Sequence, residues 1–121
     1  MKAQKPSRLL LILASIGLIT LAGVMAYQWY GQQRRVVYVV PAGTAARIAA
    51  GEKVEVLPQT IELQRGVRDV LVIRNDDTQA MQVGPYLIAP GQSYTQRYNS
   101  RGTFDMLCTI HPSQQLRVVV K

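Results

Sequence analysis

The sequence predicts a mainly β chain, an antiparallel β-sandwich or barrel preceded by one transmembrane helix. Two observations carry that expectation. An uncharged apolar run fills Leu9 to Ala26, and beyond residue 35 short runs of β-branched and aromatic residues recur between Gly, Pro and Asn-Asp turns. With that apolar run set aside, roughly 85 of the residues remain to build a core, enough for one compact domain.

The first element is LLLILASIGLITLAGVMA, in which Ser15 and Thr20 are the only side chains with hydrogen-bonding groups, and Tyr27, Trp29 and Tyr30 follow at once. A helix rising about 1.5 Å per residue crosses the hydrocarbon layer in roughly 20 residues, and aromatic rings favour its interface. Lys2, Lys5, Arg8 and the free amino group outweigh Arg34 and Arg35. The preference for basic residues inside therefore leaves the N-terminus in the cytoplasm and the rest of the chain outside. The expected organisation is a cytoplasmic N-terminus at 1–8, a lipid-bilayer anchor at 9–30, a linker at 31–35, and a domain at 36–121 on the extracytoplasmic side of the cytoplasmic membrane. A signal peptide cleaved at Val24-Met25-Ala26 is the rival reading, although the run exceeds the about 7 to 15 residues of a usual signal core. Both readings export the domain. No cysteine directly follows the run, which excludes lipid attachment in the bacterial lipoprotein manner.

Charge narrows the partners. The net charge is +7, but residues 1–35 hold five basic side chains and no acid, whereas residues 36–121 hold nine basic and seven acidic ones. The folded part is nearly neutral and lacks a basic stripe interleaved with aromatics, so nucleic acid is not an expected partner.

Val36 to Val40 has strand composition, and Pro41 closes it. Thr44 is placed to cap a short helix running through Ala50, with Gly51 as its stop. Val54 and Val56 alternate with charged neighbours, as do Ile61 and Leu63, and a turn at Arg65-Gly66 leads into Val70 to Ile73. That last run is apolar on both faces, as a central strand would be. Asn75-Asp76-Asp77 has the chemistry of a turn. An irregular stretch through Met81 and Gly84-Pro85 is expected next, then a short strand at Tyr86 to Ile88 and a turn at Pro90-Gly91. Ser93 to Tyr98 reads as a polar alternating strand, and Thr103 to Cys108 as a strand with Phe104, Met106 and Cys108 on one face. Leu116 to Val120 is the closing strand.

The only cysteine and the only histidine stand three apart, in Cys108-Thr109-Ile110-His111-Pro112, at a strand end. No intrachain disulfide is possible, and a lone thiol in an oxidising space needs burial, a metal or a redox role. A thiolate and an imidazole at this spacing on a tight loop can converge on one metal ion, and soft sulfur with imidazole nitrogen suits copper. A buried Cys108 acting as a small hydrophobe beside a solvent-facing His111 accounts for the spacing equally well. A thiol nucleophile with His111 as its base lacks an orienting Asn or Asp, and a closed zinc site lacks four good ligands.

From Ile61 to Val120 the chain resembles the cupredoxins, the small blue-copper β-sandwiches. The resemblance rests on the strand Val70 to Ile73 followed by Asn75-Asp76-Asp77, the turn Ile88-Ala89-Pro90-Gly91-Gln92-Ser93, and Gly102-Thr103-Phe104 leading to Cys108-Thr109-Ile110-His111-Pro112. It implies an antiparallel Greek-key β-sandwich, a copper centre and no enzyme activity. In that family a histidine ligand comes shortly after the Asn-Asp turn, and a cysteine, a second histidine and a weak axial methionine lie on the C-terminal loop. Cys108 then matches the thiolate ligand and His111 the second imidazole. Met81 stands where the first histidine would be, and Gln114, or Gln115, where the axial methionine would be. Glutamine is an accepted axial donor, whereas a thioether replacing an imidazole leaves a Met81, Cys108, His111 set that favours Cu(I). Met81 filling space in the core is the plain alternative.

Three functions are compatible with this reading. A membrane-tethered copper protein, either a Cu(I) carrier or an electron-transfer centre, would work with a membrane or periplasmic redox or copper-handling protein. A metal-free domain would serve as an interaction or assembly module of a membrane complex. A thiol enzyme would need a reactive Cys108.

Overall fold

The computed structural model describes residues 5–121; Lys2, used above to orient the chain, lies outside that range. The chain forms two units that join in sequence at Gln33 and Arg34.

The first unit is the helix α1 (Arg8–Gln33), whose most apolar window has a mean hydropathy of 2.5. Its 26 residues rise about 39 Å at 1.5 Å each, more than the roughly 30 Å of a hydrocarbon layer. The Ser7 side chain accepts the Leu10 N–H and starts the helix. The hydroxyls of Ser15 and Thr20 donate to carbonyls three or four residues back, so neither is left unsatisfied in apolar surroundings. Gly31 to Gln33 continue the helix, Arg34 turns, and the first strand starts at Arg35.

The second unit holds β1 (Arg35–Val40), β2 (Thr60–Leu63), β3 (Val70–Asn75), β4 (Met81–Val83), β5 (Tyr86–Ile88), β6 (Ser93–Arg97), β7 (Gly102–Leu107) and β8 (Gln115–Val120). One sheet has the order β1-β3-β6, a second β2-β8-β7, and β4 pairs with β5 in a hairpin. The inward residues Val40, Leu71 and Ile73 of the first sheet share one core with Ile61, Leu63, Leu116, Val118 and Val120 of the second. This is a two-sheet sandwich with β3 and β8 as central strands.

The pairing is mixed. β3–β6, β4–β5 and β7–β8 are antiparallel as expected, but β1–β3 and β2–β8 are parallel. The chain reverses direction at each sandwich strand yet visits the second sheet between β1 and β3, so β3 returns to β1's sheet running β1's way. All ends of one kind therefore collect together. The entry end, where the chain arrives from Arg34, gathers the connections 64–69 and 98–101 and the residue after β8. The far end gathers 41–59, 76–92 and 108–114.

Other local expectations are adjusted. Val54 and Val56 form no strand; they lie on the irregular far-end connection, where Val54 and Leu57 are buried against the sandwich. The helix α2 (Thr44–Ala49) is capped from a distance rather than by Thr44. The Asp77 carboxylate accepts the N–H groups of Gly43 (2.9 Å) and Ala45 (2.8 Å), while the Thr44 hydroxyl donates to the Pro41 carbonyl. Gly51, at φ 83°, ends that segment as expected. The stretch through Met81 is the strand β4, and Gly84-Pro85 is the two-residue turn of its hairpin.

Candidate metal centre

Asn75, at the end of β3, starts the construction of the far end. Its fully buried amide donates to the carbonyls of Gln79 (2.8 Å) and Ile88 (3.0 Å), and its oxygen accepts the Asp77 N–H at 3.0 Å. These bonds tie the β4–β5 hairpin to the sheet, and Met81 at its start is 2% exposed.

The hairpin then meets the end of β7. The Gly84 N–H donates to the Leu107 carbonyl at 2.7 Å, the Thr109 N–H to the Gln82 carbonyl at 3.1 Å, and the Gln82 N–H to the Thr109 hydroxyl at 3.0 Å. Val83 stands opposite Cys108 in an antiparallel bridge. Met81 shares the inward face of β4 with Val83, so it lies diagonal to Cys108 on one buried face. Diagonal positions are about 7–8 Å apart, a gap that a long side chain spans.

Cys108 is 0% exposed. Burial among apolar groups pushes its thiol pKa up, while hydrogen bonds from the backbone N–H groups of Ile110 and His111 pull the other way. Among the described residues no ion pair involves the sulfur. A thiolate here needs a bound cation as partner. That disfavours the nucleophile reading.

The loop after Cys108 is closed by its own backbone. The Cys108 N–H donates to the Gln114 carbonyl (3.0 Å), the His111 N–H to the Cys108 carbonyl (3.3 Å), and the Gln114 N–H to the His111 carbonyl (2.8 Å). Gln114 sits in the left-handed region at φ 55° with its side chain exposed, so its main chain, not its amide, shapes the loop. His111 is half-buried. Its Nδ1 accepts the Ser113 N–H at 3.2 Å and lies 2.7 Å from Ser113 Oγ, which reaches the Gln115 carbonyl at 3.3 Å. An accepting Nδ1 assigns the ring proton to Nε2. A metal taken at Nδ1 displaces Ser113; one taken at Nε2 requires the proton to move to Nδ1, where Ser113 Oγ can accept it. Ser113, the residue that orients the imidazole, was not singled out in the sequence, where only its position two after His111 hints at it.

The structure therefore brings Cys108 and Met81 onto one buried face and His111 onto the adjoining loop, and leaves the Gln114 amide at the surface. Among the described residues no three His, Cys, Asp or Glu side chains gather as a metal site, so any centre here depends on sulfur. Thiolate, thioether and one imidazole fit Cu(I); they do not fit zinc or a Cu(II) centre with two imidazoles.

No protein-family model matches the chain, and no curated protein does. Solved structures do. Amicyanin from Paracoccus versutus is 19% identical over 72% of this chain and 81% of its own, with a TM-score of 0.50. A purple cupredoxin from Nitrosopumilus maritimus is 16% identical over 71% of this chain and 99% of its own, with a TM-score of 0.48. The likeness to amicyanin shows that the β-domain has the cupredoxin fold, a β-sandwich here preceded by one apolar helix.

Proposed function

We propose that this is a membrane-tethered, extracytoplasmic cupredoxin-fold protein that holds Cu(I) through Cys108 and Met81, with His111 as third donor. It passes copper or an electron to a membrane or periplasmic redox or copper-handling protein. The observation that carries the reading is Cys108 itself, a thiol with no exposed surface whose buried face also holds a thioether diagonal to it. Copper, when bound, supplies the transferable ion or its one-electron couple. The protein's part is to exclude water from the sulfur and to hold His111 through Ser113. Gln114 becomes a fourth donor only if its amide turns inward. The helix α1 supports the tether by length and composition. Exposed Tyr86, Leu87 and Leu107 lie about the same end and offer apolar surface to a partner.

Copper titration of the full-length protein in detergent tests the proposal. One Cu(I) per chain should bind, lost in Cys108→Ser and weakened in Met81→Leu. Absence of stoichiometric, Cys108-dependent binding would sink it. Ser113's hold on Nδ1 favours a second reading, a metal-free assembly module, in which Cys108→Ser and His111→Ala fold and function normally.

A further inference from the structure

The near-neutral charge of the β-domain conceals a division between its two ends. The entry end carries the exposed Arg65, Arg68, Arg97, Arg101 and Lys121, besides Arg35 at the first position of β1. Their proximity is built into the backbone. The Arg65 N–H donates to the Lys121 carbonyl at 2.9 Å, Arg35 and Arg97 flank Val70 across the sheet, and Arg101 precedes Gly102, which pairs with Val120. Asp69 lies among them, but it is buried and held by Arg34 and the Gly66 N–H, with the more distant charge of Arg97 also acting on it, so its charge is already neutralised. Glu62 pairs with Lys121 at 3.2 Å. Among the described residues Arg35, Arg65, Arg68, Arg97 and Arg101 take part in no ion pair. The acids Glu52, Glu55, Asp76 and Asp77 all belong to far-end connections.

Two further features say what this basic end meets. It is the end at which the chain arrives from α1, whose last residue, Gln33, is two positions before Arg35. The tip of its 64–69 turn also presents an apolar side chain, Val67, 53% exposed between Arg65 and Arg68. Cationic groups around an exposed apolar tip, next in sequence to a bilayer-length helix, match a surface of anionic lipid headgroups over acyl chains.

We infer that the entry end of the β-domain is a lipid-binding surface that docks on anionic phospholipid headgroups, with Arg65, Arg68, Arg97 and Arg101 as its contacts and Val67 at the interface. This rests on α1 spanning a bilayer and is independent of copper. Docking keeps the domain on the leaflet and leaves the Cys108 loop, at the opposite end of the sandwich, free for a soluble or membrane partner.

Hydrogen exchange on the full-length protein in nanodiscs tests it, with phosphatidylcholine alone compared with an equal mixture containing phosphatidylglycerol. One arginine near such a surface favours contact about fivefold. Amides of 64–69 and 98–101 should therefore exchange at least fivefold more slowly in the anionic discs. The protection should vanish at about 1 M salt, where screening shortens to roughly 3 Å, and in the quadruple variant Arg65→Gln, Arg68→Gln, Arg97→Gln, Arg101→Gln. Unchanged exchange in β3 and β8 certifies that the variant folds. Equal exchange in both lipids, or protection indifferent to salt and to the four substitutions, overturns the inference. The helix amides at 9–30 report separately: if they exchange freely in both discs the membrane reading itself fails, and the inference with it.

Discussion

Replacing Asn75 with alanine tests the brace on which the far end is built. The side chain is fully buried and makes three hydrogen bonds, to the Gln79 and Ile88 carbonyls and from the Asp77 N–H. At about 1 kcal/mol net for each bond, the loss is about 3 kcal/mol, and the three main-chain groups left unpaired push it higher. For a domain of this size that lowers the midpoint of thermal unfolding by about 12 to 24 °C. Urea unfolding of the full-length protein in detergent, followed by the β signal in circular dichroism, gives the free energy, and Asn75→Asp separates the donor from the acceptor. Aspartate keeps the bond from the Asp77 N–H but faces two carbonyls with an oxygen, so it should be at least as damaging as alanine. A loss below about 1 kcal/mol in Asn75→Ala, with an unchanged denaturant slope, would refute the view that this one amide joins the hairpin of Met81 to the sheet.

Asp77→Ala removes the cap of α2 and should cost about 2 kcal/mol, with faster exchange confined at first to residues 43–51, read by the same unfolding curve and by peptide-resolved exchange. The carboxyls of Asp69 and Asp77 are both held below the ordinary range, Asp69 first by its hydrogen bond from Arg34 and Asp77 first by that from the Ala45 N–H. A depressed folded-state pKa gives stability that is present above the unfolded value of about 3.9 and lost as pH falls through the folded one. Unfolding curves should therefore be nearly flat above about pH 5 and fall below about pH 4, and Asp77→Asn should flatten that fall. The Cys108 thiol, raised by burial, should resist iodoacetamide at neutral pH in the metal-free protein and react promptly in urea. Rapid alkylation of the folded chain would restore the thiol-enzyme reading.

Much of this could be read from the residues because local chemistry writes itself locally. The apolar length of α1, the doubly apolar Val70 to Ile73 and the one-face set Phe104, Met106, Cys108 all depend on neighbours in sequence, and each stands as expected. Parallel pairing did not show, because alternation marks a strand and its inward face but is silent about which sheet it joins. The sequence points to Thr44 as the cap of α2 because capping rules look one turn away, whereas the actual acceptor, Asp77, is more than thirty positions on. At the metal centre, Cys108 and His111 were conspicuous as the single residues of their kinds, and Met81 emerged only through a resemblance. Ser113 was invisible, since its role depends on how the loop turns the imidazole back. The basic end escaped notice for a related reason. Its basic residues come from separate stretches, Arg65 and Arg68, Arg97 and Arg101, and Lys121, and a count over residues 36–121 averages them with acids from the other end.

The parallel pairing of β2 with β8 also governs when the domain can take shape. Thr60 stands opposite Arg117, so β2 has no partner until a segment more than fifty positions later has emerged. Contacts of such long range are slow to close. A chain delivered across a membrane from its helix onward would wait with β2 unpaired, and with it the thiol of Cys108, whose shelter needs the strand that follows it. During that interval the sulfur is as accessible as it will ever be. Damage by an oxidant is then most easily done before the last strand locks into place.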